Sequence, residues 1–328
     1  MQSATTCVIS VSYRGADDTA ACIRSLRQST VPVEIVVVDT TPNDPALQAA
    51  IGSAPETILL RAQENLGFGR ANNFGIQWAL QHSRCEFFFL LNNDTVVDRD
   101  SIETMERAML AQSETGIIVP RIAYLEDPAT LWYGGGEIDW RRASAFTPGI
   151  NGSAIASSAL AERDVTFATG CALFVRRSAL LQIGGFDPRF FMYEEDVEFC
   201  LRARSQGIRI RYLPRALILH RAQGSSKDSG QDRTEFWSTR NPQLPFLCYH
   251  VIRNRLLNIA IHARGADLCV ALFFFPLYLV RRAVPFLLGG RFDAVLAMLR
   301  GVAGFFRAAR AVPVREWPIE GSENGRSS

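Results

Sequence analysis

Four short polar clusters carry residue types that do chemistry. Asn92-Asn93-Asp94 closes the apolar run 86–91 (EFFFLL). A divalent cation bound to a diphosphate needs one or two protein oxygens, because phosphate and water fill its other positions. Asp94 with a neighbouring asparagine supplies them, although the same triplet after a strand is also an ordinary turn signal. Glu194-Glu195-Asp196 follows Phe190-Phe191-Met192-Tyr193 and opens a helical stretch, 194–206. One reading is an acidic first turn favoured by the helix dipole. The other is a general base taking the proton of an acceptor hydroxyl within hydrogen-bond reach. His220 ends the apolar stretch 216–219 before a polar loop, which suits either a structural ring or a metal ligand.

The fourth cluster is the densest: Asn65-Leu66-Gly67-Phe68-Gly69-Arg70-Ala71-Asn72-Asn73-Phe74-Gly75. Its glycines permit close backbone approach to a ligand, with a helix N-terminus nearby to receive negative charge. It is not a P-loop, because no Gly-Lys-Ser/Thr follows, and its glycine spacing does not make a dinucleotide fingerprint.

The elements that must position these residues alternate between strand and helix. Strands are expected at 7–13, Val33–Asp39, 57–60, 86–91 and 116–120, and helices at 18–28, 71–81 and Ser101–Ala111, with Asp17 or Asp18 as the first N-cap. Continuous apolar runs such as VEIVVVD suit strands buried on both faces of a parallel sheet. Repeated strand–helix–strand units imply such a sheet with helices on both faces. Ligands then bind outside the carboxyl ends of the strands, where Asp39 and Asp94 both stand. Residues 139–163 read as a mobile Ser/Ala/Gly-rich loop. A strand is expected at 167–176, a helix at 179–183, a strand at 208–213 and a flexible polar segment at 224–240.

Beyond Phe246 the chain becomes apolar with arginine borders, which divides it into residues 1–240, the catalytic part, and 241–328, a helical extension. Between residues 251 and 310 nine arginines face only Asp267 and Asp293. A basic apolar tail on a chain of net charge +2 suggests an anionic membrane surface or a phosphorylated acceptor; an ordinary helical subdomain with a solvated basic face is the plainer alternative. The net charge gives no case for nucleic acid. The apolar run 268–280, interrupted by Pro276, is shorter than the ~20 residues a spanning helix needs, and 292–306 carries Arg300, so lying on the membrane is favoured over crossing it. Seven cysteines without a CxxC pair argue against a zinc site or disulfide scaffold and fit a reducing cytoplasm. The N-terminus lacks a basic-then-apolar stretch, so no secretory signal is expected.

Taken in order, the pieces resemble the family 2 glycosyltransferases of the GT-A fold over residues 7–226. The resemblance rests on the opening strand, the strand ending in Asp39, the 65–75 segment, Leu90-Leu91-Asn92-Asn93-Asp94, Phe186-Asp187 through Glu195-Asp196-Val197, and His220 with Gly224-Ser225. The closest flavour is the bacterial rhamnosyltransferase-like branch that builds cell-wall or surface polysaccharides. The resemblance implies an α/β, Rossmann-like, mostly parallel mixed sheet. It also implies roles: Asp39 on the donor's pyrimidine; Gly67, Asn72 and Asn73 along the nucleotide pocket; Asn92 and Asp94 at the Asp-X-Asp metal motif, with Asp94 the ligand. His220 would be the distal metal ligand, Asp196 the general base, Glu195 an acceptor-orienting group, and Gly170 and Cys171 would flank the sugar. A divalent cation, Mg²⁺ or Mn²⁺, is implied as cofactor.

This sequence departs from the pattern where Asn92 replaces the first acid of Asp-X-Asp, Arg14 stands where Asn is usual, and Thr40-Thr41 replaces Asn-X-Ser. The expected activity is inverting transfer from dTDP-rhamnose, or alternatively a UDP-sugar, to a lipid-linked or polysaccharide acceptor at the inner face of the cytoplasmic membrane. Arg221 and Lys227 are candidates for charge near the leaving diphosphate, or solvated loop residues. A catalytically silent GT-A domain that binds nucleotide-sugar or glycan is the competing class, against which Asp94, Asp196 and His220 argue. A sugar-nucleotide-forming enzyme would show a glycine-rich basic signature near the N-terminus, where 8–16 offers only Arg14 and Gly15.

Overall fold

The computed structural model of the chain describes residues 5–41, 45–51, 57–142, 144–222 and 236–311. In chain order the first elements are β1 (Thr6–Ser12), α1 (Ala16–Leu26), β2 (Val33–Asp39), α2 (Pro45–Ile51), β3 (Thr57–Arg61), α3 (Gly67–His82) and β4 (Phe87–Asn92). There follow β5 (Thr95–Val97), α4 (Ser101–Ala111), β6 (Thr115–Tyr124), β7 (Leu131–Tyr133), β8 (Glu137–Asp139), β9 (Ser144–Phe146) and β10 (Arg163–Asp164). The chain continues through β11 (Ala172–Arg176), α5 (Arg177–Ile183), α6 (Glu195–Ser205), β12 (Arg209–His220), α7 (Leu244–His262), α8 (Gly265–Leu288) and α9 (Phe292–Arg310).

The apolar runs form the centre of one sheet, ordered β10-β12-β6-β11-β4-β1-β2-β3. β1 pairs in parallel with β2 and β4, β2 with β3, and β6 with β12. β11 is inserted antiparallel between β4 and β6. Right-handed crossovers put α1 and α2 on one face and α3 on the other, because the chain reverses direction across the sheet between β3 and β4. β1 shows the alternation. Its Ser12 and Thr6 meet Thr19 of α1 and Glu106 of α4, at 3.0 and 2.6 Å. Ile9 faces α3 so closely that a Cβ on Gly75 would fall 2.6 Å from its Cγ2.

Several boundaries differ from the sequence reading. α1 is capped by Gly15, with Asp17 and Asp18 in its first turn, so neither aspartate is the cap. The 139–163 stretch starts at the last residue of β8, holds its partner β9 and runs into β10; these strands of two or three residues are too short to leave a period in the sequence. β12 joins what reads as two segments, crossing a register shift between Leu213 and Leu217 that accommodates Pro214. The first of the C-terminal helices, α7, begins at Leu244.

The three C-terminal helices carry a core of their own, built on Leu244, Cys248, Ile252, Phe275, Phe286 and Met298, and Trp140 packs against both this core and that of the sheet. Gly301 and Gly304 let α9 lie against Tyr249 of α7, where added Cβ atoms would fall 2.7 and 2.8 Å from tyrosine atoms. α8 runs unbroken through Pro276 and Pro285. Among the described residues it is the one helix long and apolar enough to cross a membrane by length and composition. Leu272, Phe273, Leu277, Val280 and Leu288 of α8, with Phe292, Leu299 and Phe306 of α9, are exposed.

Candidate active site

β4 ends at Asn92 and a two-residue turn, Asn93-Asp94, leads into β5. Asn93 Nδ2 donates to Thr19 Oγ1 at 2.9 Å, tying the turn to α1. β5 pairs with the end of β12, placing His220 opposite Thr95, and the Arg221 N–H donates to the Asp94 carbonyl at 2.9 Å. The side chains of Asp94 and His220 thereby converge, with Oδ1 3.1 Å from Nε2. Trp132 packs edge-on against the imidazole, with ring centroids 4.5 Å apart. Burial disfavours the imidazolium, but Cys171 and the Asp94 carboxylate outweigh it and push His220 up to about 10. Burial also holds the Cys171 thiol up. Among the described residues no three His, Cys, Asp or Glu side chains group to hold a metal. One carboxylate oxygen and one imidazole nitrogen nevertheless fit a divalent cation whose other positions come from a donor diphosphate and water.

Asp196 reaches the same edge from α6. Its Oδ2 accepts the Gly170 N–H at 3.0 Å and its Oδ1 the Val197 N–H at 2.9 Å. Each carboxylate oxygen keeps a lone pair beyond these bonds. Burial pushes Asp196 up to about 6 against the Gly170 N–H, with the Glu194 charge adding to the rise. Glu195, buried beside it, is pushed well up by burial and by Asp196. A Cβ at 170 would sit 2.8 Å from Phe68 Cζ, so glycine is what lets this backbone reach the carboxylate. A cleft of about 170 Å³ opens beside Asp196, lined in part by Ser144, Phe146, Phe167, Tyr193 and Arg255.

Asp94, His220, Cys171, Gly170 and Asp196 are thus brought together. The Asn92 N–H donates to the Cys171 carbonyl at 2.8 Å, and Cys171 lies within electrostatic reach of His220, Asp94 and Asp196. Asp39 stands further along the edge: the register Ser12–Asp39 and Val11–Asn92 puts it two strand spacings from Asn92, about 10 Å. It is buried, and its Oδ1 accepts the Thr41 N–H at 2.9 Å.

The 65–75 segment is engaged with protein. Gly67, at φ +71, passes so close to Phe191 that a Cβ would lie 2.1 Å from its carbonyl oxygen, which accepts the Phe68 N–H at 3.0 Å. Buried Asn72 donates to the Phe68 carbonyl at 3.0 Å, and Asn73 is bonded to the backbone of Phe186. These residues fasten α3 to the 186–191 stretch. Arg221 is paired with Asp18 at 3.1 Å and Glu126 at 2.8 Å. Lys227 and the Gly224-Ser225 pair lie outside the described residues.

Five site residues were not read from the sequence: Trp132, Ser144, Asn254, Arg255 and Asn258. The last three carried a signal, being polar residues inside the apolar run of α7, with Asn254 and Asn258 one turn apart on one face.

The sequence model described as Glycosyl transferase family group 2 matches residues 87–287 of the chain. This chain belongs to that family. A relative, the N-acetylglucosaminyl-diphospho-decaprenol L-rhamnosyltransferase of Mycobacterium tuberculosis, is 29% identical over 245 residues, covering 67% of this chain and 78% of that protein. Rhamnosyltransferase WbbL of Escherichia coli is 26% identical over 164 residues, 48% of this chain and 61% of that one. In fold, the chain resembles the mannosyltransferase PcManGT of Pyrobaculum calidifontis, solved with GDP-Man and Mn²⁺, with a TM-score of 0.53 at 14% identity over 94% of this chain and 76% of that one. The family 2 glycosyltransferase described here therefore has the GT-A architecture expected of its sequence.

Proposed function

We propose that this glycosyltransferase moves rhamnose from dTDP-rhamnose to a hydroxyl of a polyprenyl-diphosphate-linked acceptor, with inversion at the anomeric carbon. The observation that carries the reading is the Gly170-Cys171 corner, which accommodates Asp196 on one side and the Asp94–His220 pair on the other. A Mg²⁺ or Mn²⁺ ion held by Asp94 and His220 would supply positive charge to the leaving diphosphate. Asp39 and Asn92 face the nucleotide side of the edge, with Gly67, Asn72 and Asn73 shaping its wall from behind. Asp196 takes the acceptor hydroxyl's proton while the acceptor oxygen bonds the anomeric carbon and the bond from that carbon to the diphosphate oxygen breaks. Attack from the face opposite the leaving group inverts the configuration, and Glu195 orients the acceptor.

Residues 1–240 form the catalytic domain in this reading, and 241–328 seat it on the inner face of the cytoplasmic membrane. The exposed apolar face of α8 and α9, with Arg281 and Arg300 also exposed, suits an anionic bilayer surface. A donor screen with Mg²⁺ or Mn²⁺ and a polyprenyl-diphosphate-sugar acceptor tests the activity. Nucleoside-diphosphate release from dTDP-rhamnose that depends on acceptor and is lost in Asp196→Ala is the expected result. Turnover of a UDP-sugar instead overturns the donor, and nucleotide binding without any turnover favours a silent binding domain.

A further inference from the structure

The turn that delivers Asp196 has an unusual backbone. Tyr193 and Glu194 are consecutive non-glycine residues at φ 66 and 69, a conformation that crowds Cβ against the backbone and persists only where surroundings over-determine it. Those surroundings are α7. Asn254 Nδ2 donates to the carbonyls of Met192 at 2.9 Å and Tyr193 at 2.7 Å, and Asn258 Nδ2 donates to that of Glu194 at 3.1 Å. Three successive carbonyls are therefore captured by two amides one helical turn apart. Arg255 Nε lies 2.7 Å from Glu194 Oε1, which also accepts from Ser144 Oγ at 3.1 Å. Asn254 and Asn258 are buried, where an amide aimed at a carbonyl is held to one geometry.

We infer that α7 is part of the active site: Asn254 and Arg255 are positioning residues that hold the Tyr193-Glu194 turn in its left-handed form and so aim Asp196 at the acceptor. This rests on the reading of Asp196 as the general base. α7 grips α6 a second time one turn further on, where His262 Nε2 lies 3.2 Å from Glu198 Oε1, so the helix axis is fixed and the turn alone is free to relax. Losing the amides lets Tyr193 and Glu194 return to ordinary φ and swings the first turn of α6. Among the described residues, the hydrogen bonds of Asn254 and Arg255 run to Met192, Tyr193, Arg253 and Glu194, away from β2, β4 and β12, which build the donor side of the edge.

The test uses the full-length protein in lipid vesicles, comparing Asn254→Ala, Arg255→Gln and Arg255→Lys with Asp196→Asn. Asn254→Ala and Arg255→Gln are expected to lower kcat for transfer about 10- to 100-fold. Donor KM and nucleotide affinity are expected to stay within about twofold, with Arg255→Lys recovering part of the loss. If Arg255→Gln does not fold, Glu194→Gln/Arg255→Gln, which leaves no unpaired buried charge, is assayed in its place with the same expectation. Wild-type kcat in folded Asn254→Ala overturns the inference, as does a fall of kcat and donor affinity by the same factor. An active Asp196→Asn sinks the base assignment itself, whereas an inactive one beside a fully active Asn254→Ala leaves the base standing and removes the clamp.

Discussion

Asn73 and Phe186, 113 residues apart in sequence, exchange two hydrogen bonds. Asn73 Nδ2 donates to the Phe186 carbonyl at 2.8 Å and its Oδ1 accepts the Phe186 N–H at 2.8 Å. A side-chain amide here does what a strand neighbour does in a sheet. It satisfies both polar groups of a buried residue whose ring packs against Phe68 and Phe199. The joint fixes where the chain enters the 186–191 stretch that leads to the catalytic turn.

Asn73→Ala is expected to cost about 2 kcal/mol, because it leaves the Phe186 N–H and carbonyl without partners. Asn73→Asp keeps the acceptor and loses the donor, placing a carboxylate against a carbonyl, so it is expected to cost at least as much at neutral pH. Urea unfolding midpoints compare the three proteins, and a midpoint unchanged in Asn73→Ala contradicts the role of the joint.

The transfer rate is expected to fall with pH through about 6. Burial raises Asp196 to about 6, and a general base works only when ionised, so activity is present above that value and is lost below it, tenfold per pH unit. A kcat profile between about pH 5 and pH 8 reads it. A rate flat across that interval would show that another group takes the proton.

Acid stability is expected to depend on Glu198. Burial opposes its ionisation, but hydrogen bonds from His262 and Arg202 prevail and lower it to about 2. Its folded value lies below the unfolded ~4.3. The contribution, on the order of 3 kcal/mol, is therefore complete above the unfolded value and is lost as pH falls toward about 2. Between these limits wild type should lose stability more steeply than Glu198→Gln, as followed by denaturant titration at each pH; parallel curves would contradict the linkage.

Removing divalent cations with a chelator is expected to stop turnover, and Mn²⁺ to restore it. In His220→Ala the Mn²⁺ concentration for half-maximal rate should rise about tenfold or more, since one of two protein donors is gone. An unchanged Mn²⁺ requirement in that variant removes His220 from the site.

Vesicle sedimentation checks the membrane face. Binding to anionic vesicles is expected to exceed binding to neutral ones and to weaken with salt. Phe273→Ser should lower both, and Arg281→Gln/Arg300→Gln only the anionic preference. Equal recovery with no vesicles present points to self-association instead.

The sheet was legible because its strands are buried on both faces: VEIVVVD and FFFLL admit few other readings, and their carboxyl ends name the ligand edge. Asp94, His220 and Asp196 were legible as residue types ending or opening such elements. What was not legible depends on partners far away in sequence. Asn73 bonds Phe186 and Ser144 bonds Glu194, and neither pairing leaves a mark in the local sequence. The left-handed Tyr193-Glu194 turn goes against local preference, and the α7 side chains that bond it stand some sixty residues further along the chain.

β11 runs against both of its neighbours, and this has a consequence for how the chain reaches its native state. When β6 has formed, a strand-wide slot remains between it and β4 until residues some fifty positions later fill it. Until then β4 presents an unpaired edge of Phe87, Phe88, Phe89 and Leu90, the kind of edge that recruits strands from other molecules. Closing it requires a contact of long sequence separation, and such contacts form late and slowly. The Gly170-Cys171 corner arrives with that closing strand, so the nascent chain assembles its active site only after its most aggregation-prone moment has passed.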